Sequence, residues 1–301
     1  MDSGMRIGIV TVTYNSAQVI DEFMASLLQQ SYVNYTVFIV DNASSDLTLH
    51  HLSQYHDPRI RVLQNSENLG VAEGNNQGIR AALESGCGSI LFINNDTEFD
   101  SSLLETLVEG LKEHGCDMIA PKILFHDNRK LIWSAGGGFT ASKGHAGIHY
   151  GHGEIDQGQY DVSRKVEHAP TCCLLVRSDV FAKIGLMDSR YFVYIDDADF
   201  CYRAMRASLT LFYLPSATVF HKVHSLTGGA ESDFTVRYCT RNYIYFMLKN
   251  LGPRRGLYYM SKYQARLLLK LVFRRIDMAR FILQQKAFVE GVQVWRHRPA
   301  Q

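Results

Sequence analysis

The first hundred residues alternate short β-branched runs with segments of helical period, and this alternation constrains the fold more than any other feature. Residues 7–13 are followed by 19–30, 36–40 by 46–55, and 60–63 by 71–85, before a last apolar run at 90–93. Strands separated by helices of about 10 to 15 residues predict βαβ units and a mainly parallel sheet. Ligands of such sheets bind beyond the carboxyl ends of the strands, so the polar loops there form the candidate site.

Beyond residue 100 the pattern loosens. The spacing predicts a helix over 103–114, short strands, a Gly-rich stretch over 136–158, an apolar strand over 171–176, and a helix from Ser178, read as its N-cap, to residue 184. Pro253 marks a boundary, so the expected organisation is a main unit over 1–250 and a helical region over 251–301. Charge follows the same division. The last segment carries 11 Lys and Arg against Asp277 and Glu290, while the first 250 residues carry 20 basic and 28 acidic side chains. An acidic body with a basic tail points to an anionic surface as the tail's partner.

The N-terminal residues lack the charged, apolar and small-residue regions of a signal peptide, and no apolar run reaches the roughly 20 residues that span a bilayer. Six cysteines without CxxC spacing read as reduced thiols of a cytoplasmic protein.

The loops narrow the chemistry. The first strand ends in Thr13-Tyr14-Asn15-Ser16, with no glycine, so the pyrophosphate-cradling loop of a dinucleotide enzyme is missing. The second ends at Asp41, which can accept from a ribose hydroxyl or a pyrimidine N3–H; Asp46, further on, reads as a helix cap. The third is followed by Asn68-Leu69-Gly70-Val71-Ala72, small residues that let a ligand or a strand come close. The fourth ends in Asn94-Asn95-Asp96, oxygen ligands suited to share a hard divalent cation with phosphate. Asp196, Asp197 and Asp199 follow an aromatic run; Asp199 fits an ion pair with Arg203 one turn on, leaving Asp196 or Asp197 for chemistry.

Taken in order, VTYNSAQVI, VDNASSD, ENLGVAEGNNQGI, FINNDTEF, TCCLLVRSDVF, GLMDSRYFVYIDDADFCYRAMRASL, VFHKVHS and RYCTRNYIYF resemble the inverting glycosyltransferases of family 2, in the rhamnosyltransferase-like branch, over residues 7–250. The resemblance implies an α/β GT-A fold with residues 1–250 as the catalytic unit: a Rossmann-like nucleotide-sugar-binding half over about 1–100 with a mainly parallel sheet, plus an acceptor-binding half over 101–250, followed here by C-terminal amphipathic helices. It puts Thr13, Tyr14, Asn15, Asp41, Asn68 and Ala72 on the nucleotide-sugar donor. Asn94, Asn95 and Asp96 fall at the family's DxD position, with Asp96 on Mg²⁺ or Mn²⁺ and Asn94 replacing the first carboxylate. His221 matches a histidine that helps hold metal or diphosphate. The Glu-Asp acceptor motif appears as Asp196-Asp197, with Asp197 as base. Arg241 stands either near the diphosphate or as a packing and salt-bridge residue.

The implied reaction is a single displacement moving a sugar, with rhamnose a candidate, from a UDP- or dTDP-carrier to a saccharide or polyprenyl-linked acceptor in surface polysaccharide synthesis. Two rivals stand beside it: a sugar-nucleotide-binding or scaffolding protein that has lost catalysis, and a nucleotidyltransferase, whose Gly-rich N-terminal loop is missing. No nucleic-acid partner is expected. His145, His149 and His152 lie in a Gly-rich stretch that reads as a loop over substrate rather than a zinc site. In the tail, Lys262, Arg266, Lys270 and Arg274 form a basic stripe beside Leu267, Leu268, Leu271, Val272 and Ile276. Such a helix suits the inner face of an anionic membrane; the alternative is packing on the catalytic unit or at a homodimer contact.

Overall fold

A computed structural model describes residues 4–141, 144, 147–223 and 231–297. The N-terminal half runs β1 (Ile7–Thr13), α1 (Ile20–Leu28), β2 (Tyr35–Asp41), α2 (Thr48–Leu52), β3 (Ile60–Gln64), α3 (Gly70–Glu84) and β4 (Ser89–Ile93). These four strands lie parallel in the order β4-β1-β2-β3. The order reverses at β1, between β4 and β2, and that switch point opens the crevice where the loops gather. Strands β1, β2 and β4 are buried on both faces, which is why they read as continuous apolar runs. Ile7, Ile9, Val37 and Ile39 pack with Phe23, Met24 and Leu27 of α1, while Val10, Phe38, Ile90 and Phe92 pack with Ile79 and Ala82 of α3. Gly74 and Gly78 bring α3 down onto β1: a Cβ at Gly78 would lie 2.3 Å from Val10, and one at Gly74 2.9 Å from Val12.

The chain continues through β5 (Thr97–Phe99), α4 (Leu103–Glu113), β6 (Met118–Phe125), β7 (Ile132–Ser134), β8 (Gly137–Phe139), β9 (Gly147–His149), β10 (Arg164–Val166), β11 (Cys173–Arg177), α5 (Ser178–Ile184), α6 (Asp196–Arg206) and β12 (Leu211–His221). Strand β11 lies antiparallel between β4 and β6, and β12 runs parallel to β6. The result is a mixed α/β fold with a mainly parallel central sheet. Ser178 is the first residue of α5 rather than its cap; Arg177 holds the cap position, and no side chain bonds the open amides. Pro215, which has no N–H for a ladder, sits where β12 slips register against β6 between Leu214 and Thr218. A proline inside a run argues against a strand, so this one was not legible in the sequence.

Three helices close the chain: α7 (Asp233–Asn250), α8 (Gly252–Val272), with Pro253 in its first turn, and α9 (Met278–Arg296). Tyr191, Tyr202, Ile244, Phe246, Leu248 and Met260 share a cluster with Phe288 and Val292 of α9, so the closing helices pack on the body. Leu267, expected on the exposed apolar face, is buried, whereas Leu268, Leu269, Val272 and Phe273 are exposed. Among the described residues no helix is long and apolar enough to cross a membrane, and all six cysteines are free thiols.

Candidate active site

The loops after β1 and β2 are stitched together. Asp41 is buried and accepts from the Thr13 hydroxyl at 2.8 Å, from the Ser44 amide at 3.0 Å and from the Ser44 hydroxyl at 2.6 Å. Asn15, in the left-handed region that Asn tolerates, accepts from the Ser45 amide at 2.8 Å, while its own amide donates to Ser44 Oγ. Tyr14 is left exposed at the rim. Asp46 accepts from the Thr48 and Ala17 amides, consistent with a role in starting α2. After β3, Asn68 accepts from the Gly70 amide at 2.9 Å. Ala72 is fully buried, and what comes close to this helix start is protein: the Phe192 carbonyl accepts from the Val71 amide at 2.6 Å.

At the end of β4, Asn95 turns inward and donates to the Val12 carbonyl and to Ser16 Oγ, tying β4 to β1. Asn94 is half-buried, with its amide on the Cys172 carbonyl. Asp96 is buried, and its Oδ1 lies 3.3 Å from Nε2 of His221. Register explains the meeting: β12 pairs with β5 so that His221 stands opposite Thr97, and the Lys222 amide donates to the Asp96 carbonyl. One carboxylate and one imidazole side by side fit as the protein's share of a divalent cation's shell, with phosphate oxygens completing it. Among the described residues no group of three or more His, Cys, Asp and Glu converges on a metal.

The second pair of carboxylates opens α6. Asp196 is 4% exposed, and burial, then the charge of Asp197, push its carboxyl up to about 8. Burial also raises Asp197, although the nearby His149 works against it; its side chain is 24% exposed. Two buried carboxyls side by side resist a double charge, so the deeper Asp196 is the one that keeps its proton to the higher pH. Asp199 pairs with Arg203 at 2.9 Å as its spacing suggested, and also meets Lys249 at 2.8 Å, Asn250 at 2.9 Å and the Tyr191 hydroxyl at 3.1 Å. Burial would raise Asp199, but Lys249 and Arg203 outweigh it and hold its carboxyl below the usual range.

The two carboxylate sites are connected through a run of side chains. Buried Cys172 feels the charge of both Asp96 and Asp197. Rings span the gap: Trp133 lies edge-on to His221 at 4.7 Å and to His149 at 4.6 Å, and His149 stacks on His168 at 5.4 Å. His168 Nε2 is 4.0 Å from Asp197 Oδ2. Burial pushes both His149 and His168 down to about 4, so they are neutral at neutral pH. His152 donates from Nδ1 to the Trp133 carbonyl at 2.9 Å, and His145 lies outside the described residues. Arg241 spends its guanidinium on the carbonyls of Arg190 and Tyr191 and stacks near Tyr238, which is the packing alternative. Trp133, His168, Lys249 and Asn242 carried no local sequence signal, because each matters only through partners remote in the chain.

Comparison with known proteins supplies a family and a fold. The family model described as Glycosyl transferase family 2 matches residues 8–185. The chain is 27% identical over 239 residues to a low-salt glycan biosynthesis hexosyltransferase of Haloferax volcanii, covering 78% of this chain and 73% of that protein. It is 26% identical over 267 residues to the N-acetylglucosaminyl-diphospho-decaprenol L-rhamnosyltransferase of Mycobacterium tuberculosis, covering 81% and 85%. Among solved structures, S. aureus TarS in complex with UDP-GlcNAc superposes with a TM-score of 0.60 at 16% identity, over 96% of this chain and 81% of that one. GalNAc-T7 with UDP, GalNAc and Mn²⁺ gives 0.61 at 13% identity, over 84% and 52%. The fold is that of GT-A glycosyltransferases.

Proposed function

This chain belongs to glycosyl transferase family 2, and we propose that it transfers a hexose, with rhamnose the leading candidate, from a UDP- or dTDP-sugar to an acceptor hydroxyl. The acceptor in this reading is a saccharide or lipid-linked saccharide of cell-surface polysaccharide synthesis, and a lipid-linked acceptor is supported by the N-acetylglucosaminyl-diphospho-decaprenol in the mycobacterial relative's name. The observation that carries it is the linkage of the Asp96–His221 pair to the Asp196–Asp197 pair through the rings of Trp133, His149 and His168.

Each residue then has a task. Asp197, the more open of the pair, takes the proton from the acceptor hydroxyl, whose oxygen attacks the anomeric carbon opposite the nucleotide, inverting it. Asp196 keeps its proton and so spares the pair a second charge. Thr13, Tyr14, Asn15, Asp41 and Asn68 line the donor side, with Ala72 supporting it from the core. Asp96 and His221 would hold Mg²⁺ or Mn²⁺, which when bound neutralises charge on the leaving diphosphate.

Residues 1–250 are read as the catalytic unit and 251–301 as a basic helical region that meets an anionic membrane. Support comes from the exposed Leu268, Leu269, Val272 and Phe273 beside the exposed Arg266, Lys270, Arg274 and Arg275. The test of function is release of nucleoside diphosphate from a panel of UDP- and dTDP-sugars with saccharide acceptors. Donor binding without turnover by any of them would favour the scaffolding alternative.

A further inference from the structure

The segment that delivers the Asp196-Asp197 pair does not rest in a comfortable backbone conformation. Phe192, Tyr194 and Ile195 all have φ of 65°. Non-glycine residues seldom adopt this region, and a β-branched residue such as Ile195 is an outlier there. Ile195 is also the cap residue of α6 and offers no side-chain bond to the helix amides. Strain of this kind persists only where the surroundings over-determine it.

The surroundings here are two clamps, both acting on backbone. From α7, the Asn242 amide nitrogen donates to the carbonyls of Tyr191 at 2.8 Å, Val193 at 2.6 Å and Tyr194 at 2.9 Å. Two N–H groups serve three carbonyls, so at least one is shared. Asn242 is fully buried, and both of its donors are spent on this loop. Its neighbour Arg241 bonds the carbonyls of Arg190 and Tyr191. From the other side, the Val71 amide donates to the Phe192 carbonyl, and Gly70 lets the loop approach: a Cβ there would lie 2.5 Å from that carbonyl oxygen. The clamped stretch ends at Ile195, and the next residue is Asp196.

We propose that Asn242 is a positioning residue, whose amide holds the strained 191–195 backbone so that Asp197 meets the acceptor hydroxyl. The proposal rests on the reading of Asp197 as the base. Alanine would take the side-chain donor from the Val193 and Tyr194 carbonyls and one of several donors from that of Tyr191, and aspartate would set a carboxylate against them. Either change frees the loop to relax away from its left-handed turns and lets water reach the carboxylates.

The test compares Asn242→Ala, Gly70→Ala and Asp197→Asn in one transfer assay, with donor KM and the pH profile of kcat. In Asn242→Ala, kcat falls about ten- to hundred-fold, the loss expected from displacing a reacting group by roughly an ångström, while donor KM stays within about two-fold. The acid limb of kcat moves to lower pH, because hydration undoes part of the burial that raises both carboxyls; a merely structural role would not move it. Gly70→Ala, pushing on the same loop from the other side, repeats both changes. Should Asn242→Ala not fold, Asn242→Ser, with one donor and room for a water, is read on the same two measurements. Wild-type kcat and pH profile in the folded variant would overturn the proposal, as would a parallel loss of donor affinity. If Asp197→Asn itself transfers normally, the base reading fails; if it is inactive while Asn242→Ala is normal, only the positioning role fails.

Discussion

His221 Nε2 stands 3.3 Å from Asp96 Oδ1, brought there by the pairing of His221 with Thr97 across two strands. If this pair supplies the protein's ligands to a divalent cation, Asp96→Ala abolishes transfer and a chelator does so reversibly. His221→Ala should lose less and should shift the metal titration to higher concentration, since a neutral ligand contributes less to holding a cation. Full activity after exhaustive chelation would rule out the metal role.

The dyad sets a pH dependence whose sign can be worked out. The base must be ionised, so the rate rises with pH, and burial raises Asp197 above its ordinary value. The acid limb of kcat therefore has its midpoint above about 4, the unperturbed carboxylate value. Asp196, protonated up to about 8 in the folded chain, disfavours folding progressively as the pH rises from the unfolded carboxyl's value to that point. Asp196→Asn removes this penalty, and thermal melts at pH 9 should gain at least about 2 °C. An acid limb at or below the ordinary carboxylate value, with unchanged melts, would contradict the pairing.

Asp199 answers to the opposite sign. Its carboxyl is held low by Lys249 and Arg203, so its contribution to stability is present at neutral pH and is lost as the pH falls through its depressed folded value. Asp199→Asn removes a charge from a closed network and leaves Lys249, 5% exposed, short of one partner. Breaking a buried pair from one side typically costs about 3–5 kcal/mol, though Asp188, 2.8 Å from the same ammonium, softens the loss here. Chemical denaturation at neutral pH measures it, and an unchanged midpoint would show that Asp188 alone satisfies Lys249.

Much of the fold was legible because hydrophobic period is a local property. The first strand spans Ile7–Thr13 as its β-branched run predicts, and Asp199 finds Arg203 because a helix puts residues four apart on one face. What local pattern does not encode is register and remote polar pairing. Nothing near Asn242 announces that its amide serves carbonyls at 191, 193 and 194, and nothing near Lys249 announces Asp188. His168 reaches the dyad from just beyond β10 with its ring against β9: a Cβ at Gly147 would lie 2.8 Å from that ring. The small residues of α3 were legible as a place of close approach, but only the fold says that the partner is Phe192.

The membrane reading needs a sharper test than removing the tail. Truncation at residue 251 would uncover Ile244 and Phe246 of α7, against which Phe288 and Val292 pack, and could unfold the body for unrelated reasons. Val272 and Phe273, 72% and 69% exposed, can instead be changed to Ser, and Arg274 and Arg275 to Glu, with little effect on the fold. Each basic residue near an anionic surface contributes about 1 kcal/mol, so reversing two should weaken binding to phosphatidylserine vesicles by more than tenfold. Equal sedimentation of variant and parent with such vesicles would end the membrane proposal.

The last prediction separates the two carboxylates of the dyad. Asp197→Asn keeps size and hydrogen bonding but cannot take a proton, so transfer should fall by about 10²–10⁴-fold. Donor binding, which draws on the loops after β1, β2 and β3, should survive the change. Asp196→Asn is expected to behave differently, because the side chain it replaces is already protonated near neutral pH, and an amide resembles that neutral form in shape and charge. Its rate at neutral pH should stay close to the parent's. Above the pH where Asp196 would ionise, the variant should be the steadier of the two, since no second charge then appears beside the base. Rates and donor affinities of both variants across pH 5 to 9 decide the matter. An inactive Asp196→Asn beside an active Asp197→Asn would move the base to the more buried carboxyl. Activity in both would mean that neither residue takes the acceptor's proton.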